Sequence, residues 1–206
     1  MIKLFFDIET IPSADEHRDN HVKILKKRKN MEALDDDGVH NMTALEGTFG
    51  RICSIGIIKE GPQGIIQKEV FSGDEKQMLK DFWKAGNGVW RFVGHNIWGF
   101  DLPFIYKRSI IYGVRPIMLP FARYRNVPIY DTMMEWELWN MQNRQKLDTL
   151  AKVLGLPTSK DEMDGSMVAE YFKQGRIEEI NKYCMKDVEL TRKIYYKMTF
   201  ETPSEA

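Results

Sequence analysis

The stretch that decides the fold is KLFFDIET, residues 3–10. Its apolar part, residues 4–6, is typical of a strand that enters a hydrophobic core. Asp7 and Glu9 follow two positions apart, and side chains at that spacing on one strand point to the same face. Two neighbouring carboxylates repel each other and are costly to remove from water unless a positive charge lies between them. The stretch therefore predicts a core strand that presents a pair of acids to something cationic.

Length and composition are those of one domain of ordinary size. The chain has 206 residues, of which 43% are hydrophobic, and this is enough for a full core. Lys+Arg and Asp+Glu both number 30, so net charge does not indicate a polyanionic partner. A protein without net charge can still bind nucleic acid through a local basic patch or through bound cations. We predict a single domain over residues 1–206, with a charged insertion at about 13–46 that forms a helix or a mobile lobe.

Cysteine usage and hydropathy predict the compartment. Cys53 and Cys184 are the only cysteines, which is typical of a reducing compartment and excludes a paired-cysteine metal motif. The apolar stretch at the N-terminus is too short and too soon acidic for a secretory signal. No segment approaches the 18 or so apolar residues that a membrane span needs. We therefore expect a soluble, cytoplasmic protein with no membrane partner.

The order of strand and helix patterns predicts an α/β fold. Strands are predicted at 2–8, 51–58, 65–71, 89–94 and 129–131, and helices at 74–85, 101–112 and about 177–198. Three early strands with tight connections, followed by alternating strands and helices, indicate a mixed sheet flanked by α-helices. The first three strands are expected to be antiparallel and the later ones parallel. This is the ribonuclease H-like arrangement, although periodicity alone does not distinguish it from other α/β folds.

Two further acids lie in settings that suggest a shared site. Asp101 comes directly after a predicted strand, at the beginning of a helix, and Asp187 is four residues after Tyr183 on one face of the last helix. If these two acids converge with Asp7 and Glu9, the four carboxylates cannot all stay ionised without divalent cations. Oxygen ligands suit Mg²⁺ or Mn²⁺, and two such ions roughly 3.5–4 Å apart can hydrolyse a phosphodiester. The reaction indicated is hydrolysis of a nucleic-acid backbone.

Three motifs resemble those of the DEDD superfamily of 3′→5′ exonucleases, which is DnaQ-like: FDIET at 6–10, HNIWGFD at 95–101 and YCMKD at 183–187. The tyrosine four residues before the last aspartate resembles the DEDDy branch. Further stretches, at 51–57, 147–157 and 164–188, resemble stand-alone exonucleases related to the proofreading domain of family B DNA polymerases. The resemblance covers nearly the whole chain except the insertion, and the three motifs in order are far more specific than any one alone.

This resemblance implies a catalytic role for each of the acids. Asp7, Glu9 and Asp187 would ligate the metal ion that carries the attacking water. Asp7, together with Asp101 acting partly through waters, would serve a second ion that supports the departing 3′ oxygen. Tyr183 would help to orient the water, because a tyrosine hydroxyl is a poor base at neutral pH but can still fix a hydrogen-bond angle.

The resemblance also implies a pocket for the 3′-terminal nucleotide. Asn96 and Phe100 would line it, while Thr10 and Ile11 would lie against the sugar and base. Trp98, inside the second motif, is the tryptophan best placed to touch substrate. His95 is a candidate substrate contact and a candidate base, although its position before Asn96 favours a hydrogen bond within the loop.

Each of these features has a plainer interpretation. Asp101 alone is typical of a helix N-cap. The basic cluster at 26–29 is explained slightly better as a solvated helix face, balanced by the acids at 35–37, than as a nucleic-acid contact. The loop at 123–125 (Arg-Tyr-Arg) could hold phosphate and a base or be an ordinary surface loop. Asp131 follows a later strand, and we do not count it among the metal ligands.

Three interpretations of function remain open. The first is a metal-dependent 3′→5′ exonuclease that acts on single-stranded DNA, releases nucleoside 5′-monophosphates and works in proofreading or repair. The second is a 3′→5′ exoribonuclease, since no residue clearly reports on the 2′-hydroxyl. The third is a non-cutting nucleic-acid-binding module accessory to a polymerase or repair complex. No polymerase domain follows the last predicted helix, so proofreading is expected in trans.

Overall fold

One mixed sheet of five strands organises the protein, whose computed structural model describes residues 1–140, 142–158 and 163–203. The strands are β1 (Lys3–Ile11), β2 (Arg51–Gly61), β3 (Gly64–Ser72), β4 (Arg91–Gly94) and β5 (Ile129–Asp131), and their order across the sheet is β3-β2-β1-β4-β5. The pairs β1–β2 and β2–β3 are antiparallel, whereas β1–β4 and β4–β5 are parallel. The predicted α/β, ribonuclease H-like arrangement is confirmed.

Eight α-helices flank or extend this sheet within the described residues. They are α1 (Arg18–Lys29), α2 (Asp36–Met42), α3 (Glu75–Ala85), α4 (Asp101–Ile111), α5 (Thr132–Trp136), α6 (Leu147–Val153), α7 (Val168–Lys173) and α8 (Ile177–Thr199). In the part of the chain that the structure describes, none of these helices has the length and apolarity that crossing a bilayer requires.

The alternation of side chains along β1 divides the core into two layers. Leu4 and Phe6 are fully buried on the face covered by α3 and α4. Phe5 points to the other face, where it packs with Val188 and Tyr195 of α8, and the Phe5 and Tyr195 ring centroids are 5.4 Å apart. The two acids of β1 have the same parity as Phe5, so their side chains project toward α8.

Strand β1 is longer than the prediction of 2–8. It continues to Ile11, with an irregularity in its pairing to β2 between Glu9 and Thr10. Because β1, β4 and β5 are parallel, their C-terminal ends meet at one edge of the sheet, and β5 ends at Asp131. This edge gathers the acids of β1 and the loop that follows β4, as expected for a site at the carboxyl ends of parallel strands.

The segment predicted as an insertion contains α1 and α2. Its basic cluster is balanced by acids, because Lys26 pairs with Asp36 at 2.5 Å, and Arg28 and Lys29 both pair with Glu46 at 2.8 Å. This pairing agrees with the interpretation as a solvated helix face. The sequence predicts that the acids at 35–37 balance the whole cluster. Asp36 pairs with Lys26 as expected, but the partner of Arg28 and Lys29 is Glu46.

One histidine of this segment, His40, is buried. This side chain is 7% exposed, and its Nε2 lies 3.0 Å from the carbonyl oxygen of Ser13. The Thr43 hydroxyl accepts from the Ser13 N–H at 2.9 Å, so two bonds join this segment to the end of β1. Sequence could not show this, because burial of His40 depends on the packing of α2 against the chain that follows β1.

Helix α8 approaches the sheet closely at Gly56, which lies opposite Asp7 in the β1–β2 pairing. A Cβ at this position would lie 3.0 Å from Cys184 Sγ and 3.0 Å from Val188 Cγ2. Glycine therefore lets the helix that carries Asp187 come close to the strand that carries Asp7.

We expect Gly56→Val to lower the free energy of unfolding by about 1–3 kcal/mol, because the added methyls overpack the contact with α8. Urea unfolding followed by circular dichroism measures this loss. Gly165→Val is the matched control, since a Cβ at Gly165 meets nothing within 4 Å. Equal stability losses in the two variants would contradict the close approach.

Candidate active site

Strand β1 and helix α8 bring three side chains together at the edge of the sheet. Carboxylate oxygens of Asp7 and Glu9 and the Cys184 sulfur all lie within 4.8 Å of one another. Glu9 is only 7% exposed, whereas Asp7 is partly accessible. The two acids that the sequence predicted to share a face therefore do so, in a pocket that α8 closes.

Helix α8 also contributes Tyr183 and Asp187, which the i, i+4 spacing predicted to share a face. The Tyr183 hydroxyl is hydrogen-bonded to the Asp187 carboxylate, which is 9% exposed. Burial is the main cause that raises the pKa of Tyr183, and the charge of Asp187 adds to it. The hydroxyl is therefore protonated at neutral pH and acts as a hydrogen-bond donor.

Asp101 reaches the same pocket from the beginning of α4. Its carboxylate accepts a hydrogen bond from the Ile8 N–H at 3.1 Å, and Ile8 lies between the two acids of β1. Asp101 is 3% exposed, and the N-cap residue of α4 is Phe100, which makes no side-chain capping bond. The plainer interpretation of Asp101 as a helix N-cap is therefore wrong, because its carboxylate accepts a hydrogen bond from β1 and the N-cap position is held by Phe100.

Burial and mutual repulsion disfavour ionisation of these acids. Burial raises the pKa of Asp7 well above its usual value, and the charges of Asp101, Glu9 and Asp187 raise it further. The pKa of Glu9 is raised by burial and then by Asp187 and Asp101. Burial raises the pKa of Asp101 to about 8, against the opposing hydrogen bond from Ile8.

This donor set fits hard divalent cations. Asp7, Glu9, Asp101 and Asp187 offer carboxylate oxygens, the ligand type that suits Mg²⁺ and Mn²⁺. Their unfavourable ionisation would be relieved by positive charge among them. Cys184 is a poorer ligand, because burial raises the pKa of its thiol well above the usual value and its Sγ lies 3.4 Å from the Asp7 carbonyl oxygen.

Comparison with known proteins gives one family match. Residues 119–203 match the model of a family described as predicted 3′-5′ exonuclease related to the exonuclease domain of PolB. The predicted resemblance to this family is confirmed.

A solved structure supports the same fold. Over 97% of its length the chain is similar to the family B DNA polymerase from the hyperthermophilic archaeon Pyrobaculum calidifontis, with a TM-score of 0.62 and 19% identity. The chain spans 24% of that polymerase, and at this identity the likeness concerns the fold. No curated protein matches the chain.

The loop after β4 is held by Asp131, a residue to which the sequence analysis assigned no role. The Asp131 carboxylate accepts from the N–H groups of Asn96 and Trp98, each at 2.9 Å. It also caps α5 by accepting from Met133 and Met134 at 3.0 and 3.3 Å. Asp131 therefore positions the second motif, which agrees with its exclusion from the metal ligands.

His95 differs from the prediction that it contacts substrate. Its Nδ1 lies 2.9 Å from the Thr132 hydroxyl, and its Nε2 lies 2.9 Å from the Gln145 carbonyl oxygen. Burial lowers the pKa of His95 to about 4, so the ring is neutral near pH 7. Both nitrogens are occupied by partners on α5 and before α6, outside the loop after β4, which leaves no nitrogen for substrate or for general-base catalysis.

Two further residues predicted to contact substrate, Thr10 and Ile11, differ in how far their side chains are exposed to solvent. Thr10 is partly exposed and donates to the Ala44 carbonyl at 2.8 Å. Ile11 is 3% exposed and packs in an apolar cluster with Cys53, and its contact with a nucleotide stays a prediction. The pairing register with β2 shifts between Glu9 and Thr10, and sequence spacing could not show that Ile11 turns inward.

Asn96, Trp98 and Phe100 lie in the partly exposed loop of the second motif. The Asn96 Oδ1 and Trp98 Nε1 atoms are buried and have no hydrogen-bond partner among the described residues. Asn96 also has a positive φ of 62°, a conformation that asparagine tolerates better than most residues. The Phe100 ring packs against Phe104, with centroids 5.6 Å apart. The loop therefore holds polar groups that a ligand could satisfy.

Asp101→Asn should reduce the dependence of the free energy of unfolding on pH, when a chelator keeps the protein free of divalent metal ions. The unfolded Asp101 carboxyl ionises near its ordinary value, whereas the folded one keeps its proton up to a pKa of about 8. Stability is therefore lost as pH rises from about 4 to 8, and we expect about 1–2 kcal/mol of this loss between about pH 6.5 and 8.5.

Urea unfolding at several pH values in that window measures the slope. The titration of His95 is the same in the wild type and in Asp101→Asn, so it cancels in the difference between their slopes. Saturating Mn²⁺ should reduce the wild-type slope, since cations favour the ionised carboxylates. Identical slopes for the wild type and Asp101→Asn would contradict a raised pKa at this position.

Asp131→Ala should lower the free energy of unfolding by about 2–4 kcal/mol, because it leaves buried N–H groups of the loop and of α5 without an acceptor. Asp74→Ala is the matched control, since Asp74 caps α3 at the surface with one bond to the Gln77 N–H of 2.8 Å. We expect the control to cost about 1 kcal/mol. A loss for Asp131→Ala no larger than for Asp74→Ala would contradict its anchoring role.

Proposed function

We propose that this chain is a divalent-metal-dependent 3′→5′ exonuclease formed by a single ribonuclease H-like domain. The observation that carries the proposal is the convergence of carboxylates from β1, α4 and α8 beside the Tyr183 hydroxyl, where burial and neighbouring negative charge raise the pKa values of Asp7 and Glu9. The match of residues 119–203 to the family of predicted 3′-5′ exonucleases supports the same activity.

Two ions, Mg²⁺ or Mn²⁺, are proposed to bind among the four acids. Asp7, Glu9 and Asp187 would hold one of them, and Asp7 with Asp101 would hold the other. When bound, such ions lower the pKa of water and stabilise the charge that develops on a phosphodiester. The acids of β1 are well suited to this role, because the core positions of β1 fix their direction.

Tyr183 is proposed to orient the attacking water. Its raised pKa keeps the hydroxyl protonated, so it supplies one hydrogen-bond donor and lone pairs rather than a base. Asp187 restrains the hydroxyl by their hydrogen bond. His95 takes no part in proton transfer, since both of its nitrogens are bonded within the protein.

Single-stranded DNA with a 3′ end is the proposed substrate, and nucleoside 5′-monophosphates are the products. The preference for DNA over RNA is inferred from the resemblance to polymerase-related exonucleases. Asn96 and Trp98 have buried polar atoms without partners in the described structure, and these are proposed to face the terminal nucleotide, with Thr10 and Phe100 near it. We infer a cytoplasmic role in proofreading or repair, with a polymerase or repair complex acting in trans.

The activity is tested with 3′-labelled and 5′-labelled single-stranded DNA and RNA oligonucleotides. We expect a ladder that shortens from the 3′ end in Mg²⁺ or Mn²⁺ and none in chelator. Asp7→Ala should abolish cleavage, and Tyr183→Phe should lower kcat by about 10²-fold, the lower end for loss of a proton-positioning group.

The pattern of products separates the three interpretations. Faster shortening of RNA would favour the exoribonuclease. Oligonucleotide binding without metal-dependent shortening would favour the non-cutting module. Internal cuts, in place of a ladder from one end, would contradict the proposed direction. Lys186→Ala, a change on α8 next to Asp187, is the control, and it should retain cleavage.

A further inference from the structure

A row of aromatic rings leads from the second motif to the protein surface. The ring centroids of Trp98 and Trp139 are 5.7 Å apart, and those of Trp139 and Tyr124 are 5.6 Å apart. The Arg123 guanidinium lies over the Trp98 ring, 5.6 Å from its centroid. We call these four residues the aromatic platform.

The outer part of the platform lines a surface groove of about 510 Å³. Tyr124 is 75% exposed, and Leu138 beside it is 85% exposed. Arg125 and Trp139 line the same groove. A tyrosine ring and a leucine side chain that remain in water next to an arginine are poorly explained by folding, because the core gains nothing from them.

The backbone of this groove is unusual in a way that also points to function. Tyr124, Leu138 and Trp139 have φ values of 63°, 49° and 65°. Bulky residues rarely adopt this left-handed conformation, and strained backbone tends to cluster where a ligand is held. Three such residues around one groove keep a tyrosine and a leucine directed outward.

The platform is mechanically joined to the carboxylate site. Asp131 accepts from the Trp98 N–H and also caps α5, the helix that leads directly to Leu138 and Trp139. Glu135 of α5 is the acid that lines the groove, and its carboxylate accepts from the Trp139 Nε1–H at 3.3 Å. One anchor therefore fixes the second motif and the platform relative to each other.

We propose that the aromatic platform binds the single-stranded segment that precedes the 3′-terminal nucleotide. A base stacks against Tyr124 and Trp139, and the guanidinium groups of Arg123 and Arg125 contact backbone phosphates. Stacking on aromatic rings accepts any base, and guanidinium groups suit phosphate oxygens, so the chemistry fits a strand held without sequence preference. This inference rests on the proposed function, because it assigns the same substrate a second contact.

The test measures binding of a fluorescent single strand of about eight nucleotides, within the range that such grooves hold. Phosphorothioate linkages at its 3′ end slow cleavage, and anisotropy in Ca²⁺ gives Kd. We expect Tyr124→Ala to raise Kd about tenfold, which is in the lower part of the range for loss of one base–aromatic stack. Tyr124→Phe should bind as the wild type does, since a phenyl ring also stacks.

Two control variants separate the platform from general surface effects. Phe200→Ala removes a ring that is 95% exposed beyond the end of α8, and Arg115→Ala removes an exposed arginine before β5. Both should leave Kd unchanged, whereas Arg123→Ala should raise Kd and reduce its dependence on strand length, because longer strands lose a phosphate contact. Equal thermal unfolding of all variants excludes loss of folding as the cause.

The outcomes distinguish this inference from the proposed function. If the wild type shortens DNA while Tyr124→Ala binds within twofold of it, the platform is overturned and the exonuclease stands. That result would also be expected if the groove served a protein partner. If binding depends on Tyr124 but nothing shortens, the exonuclease is overturned and the platform stands. A wild type that does not bind the strand at all overturns the platform.

Discussion

Repulsion among buried carboxylates is the constraint on which the candidate site depends. Burial raises the pKa values of Asp7, Glu9 and Asp101, and the charges of neighbouring acids raise them further. A fold that only maximised its own stability would not gather these groups in one pocket. Strand β1 is buried on both faces and supports this arrangement. The buried side chains of Phe5 and Phe6 fix the position of the strand directly before Asp7. The packing of the core therefore offsets the electrostatic repulsion among the acids at the edge of the sheet. Bound cations would relieve that repulsion.

Three contacts transmit the rigidity of the core to that edge. Gly56 lets α8 approach β2 closely, so the helix that carries Asp187 lies over β1. The Asp101 carboxylate bonds the Ile8 N–H and joins α4 to the same strand. Asp131 holds the loop after β4 through two backbone N–H groups. Each contact connects segments distant in sequence, so the site is tied to the sheet at three points.

Most of the secondary structure and the principal acids could be predicted from local patterns. Alternation indicated the five strands, and the i, i+4 spacing of Tyr183 and Asp187 indicated a shared helix face. Other features could not be predicted. Burial of His40 and Ile11 depends on packing between distant segments. The capture of the His95 nitrogens by Thr132 and Gln145 and the place of Cys184 beside Asp7 arise from long-range contacts. The only sequence sign for Cys184 was its position between Tyr183 and Asp187.

The amino-acid sequence by itself determined which residues could carry chemistry and which face of its own element each would occupy. Period-two and period-3.6 geometry is a property of the local backbone, so KLFFDIET was enough to put Asp7 and Glu9 on one side of a strand. Only the tertiary structure decided that Asp101 bonds to Ile8, that Asp131 anchors a loop, and that Trp98, Trp139 and Tyr124 form one row. Those contacts join elements far apart in the chain, and their distances are set by how helices pack on a twisted sheet, which no local pattern contains.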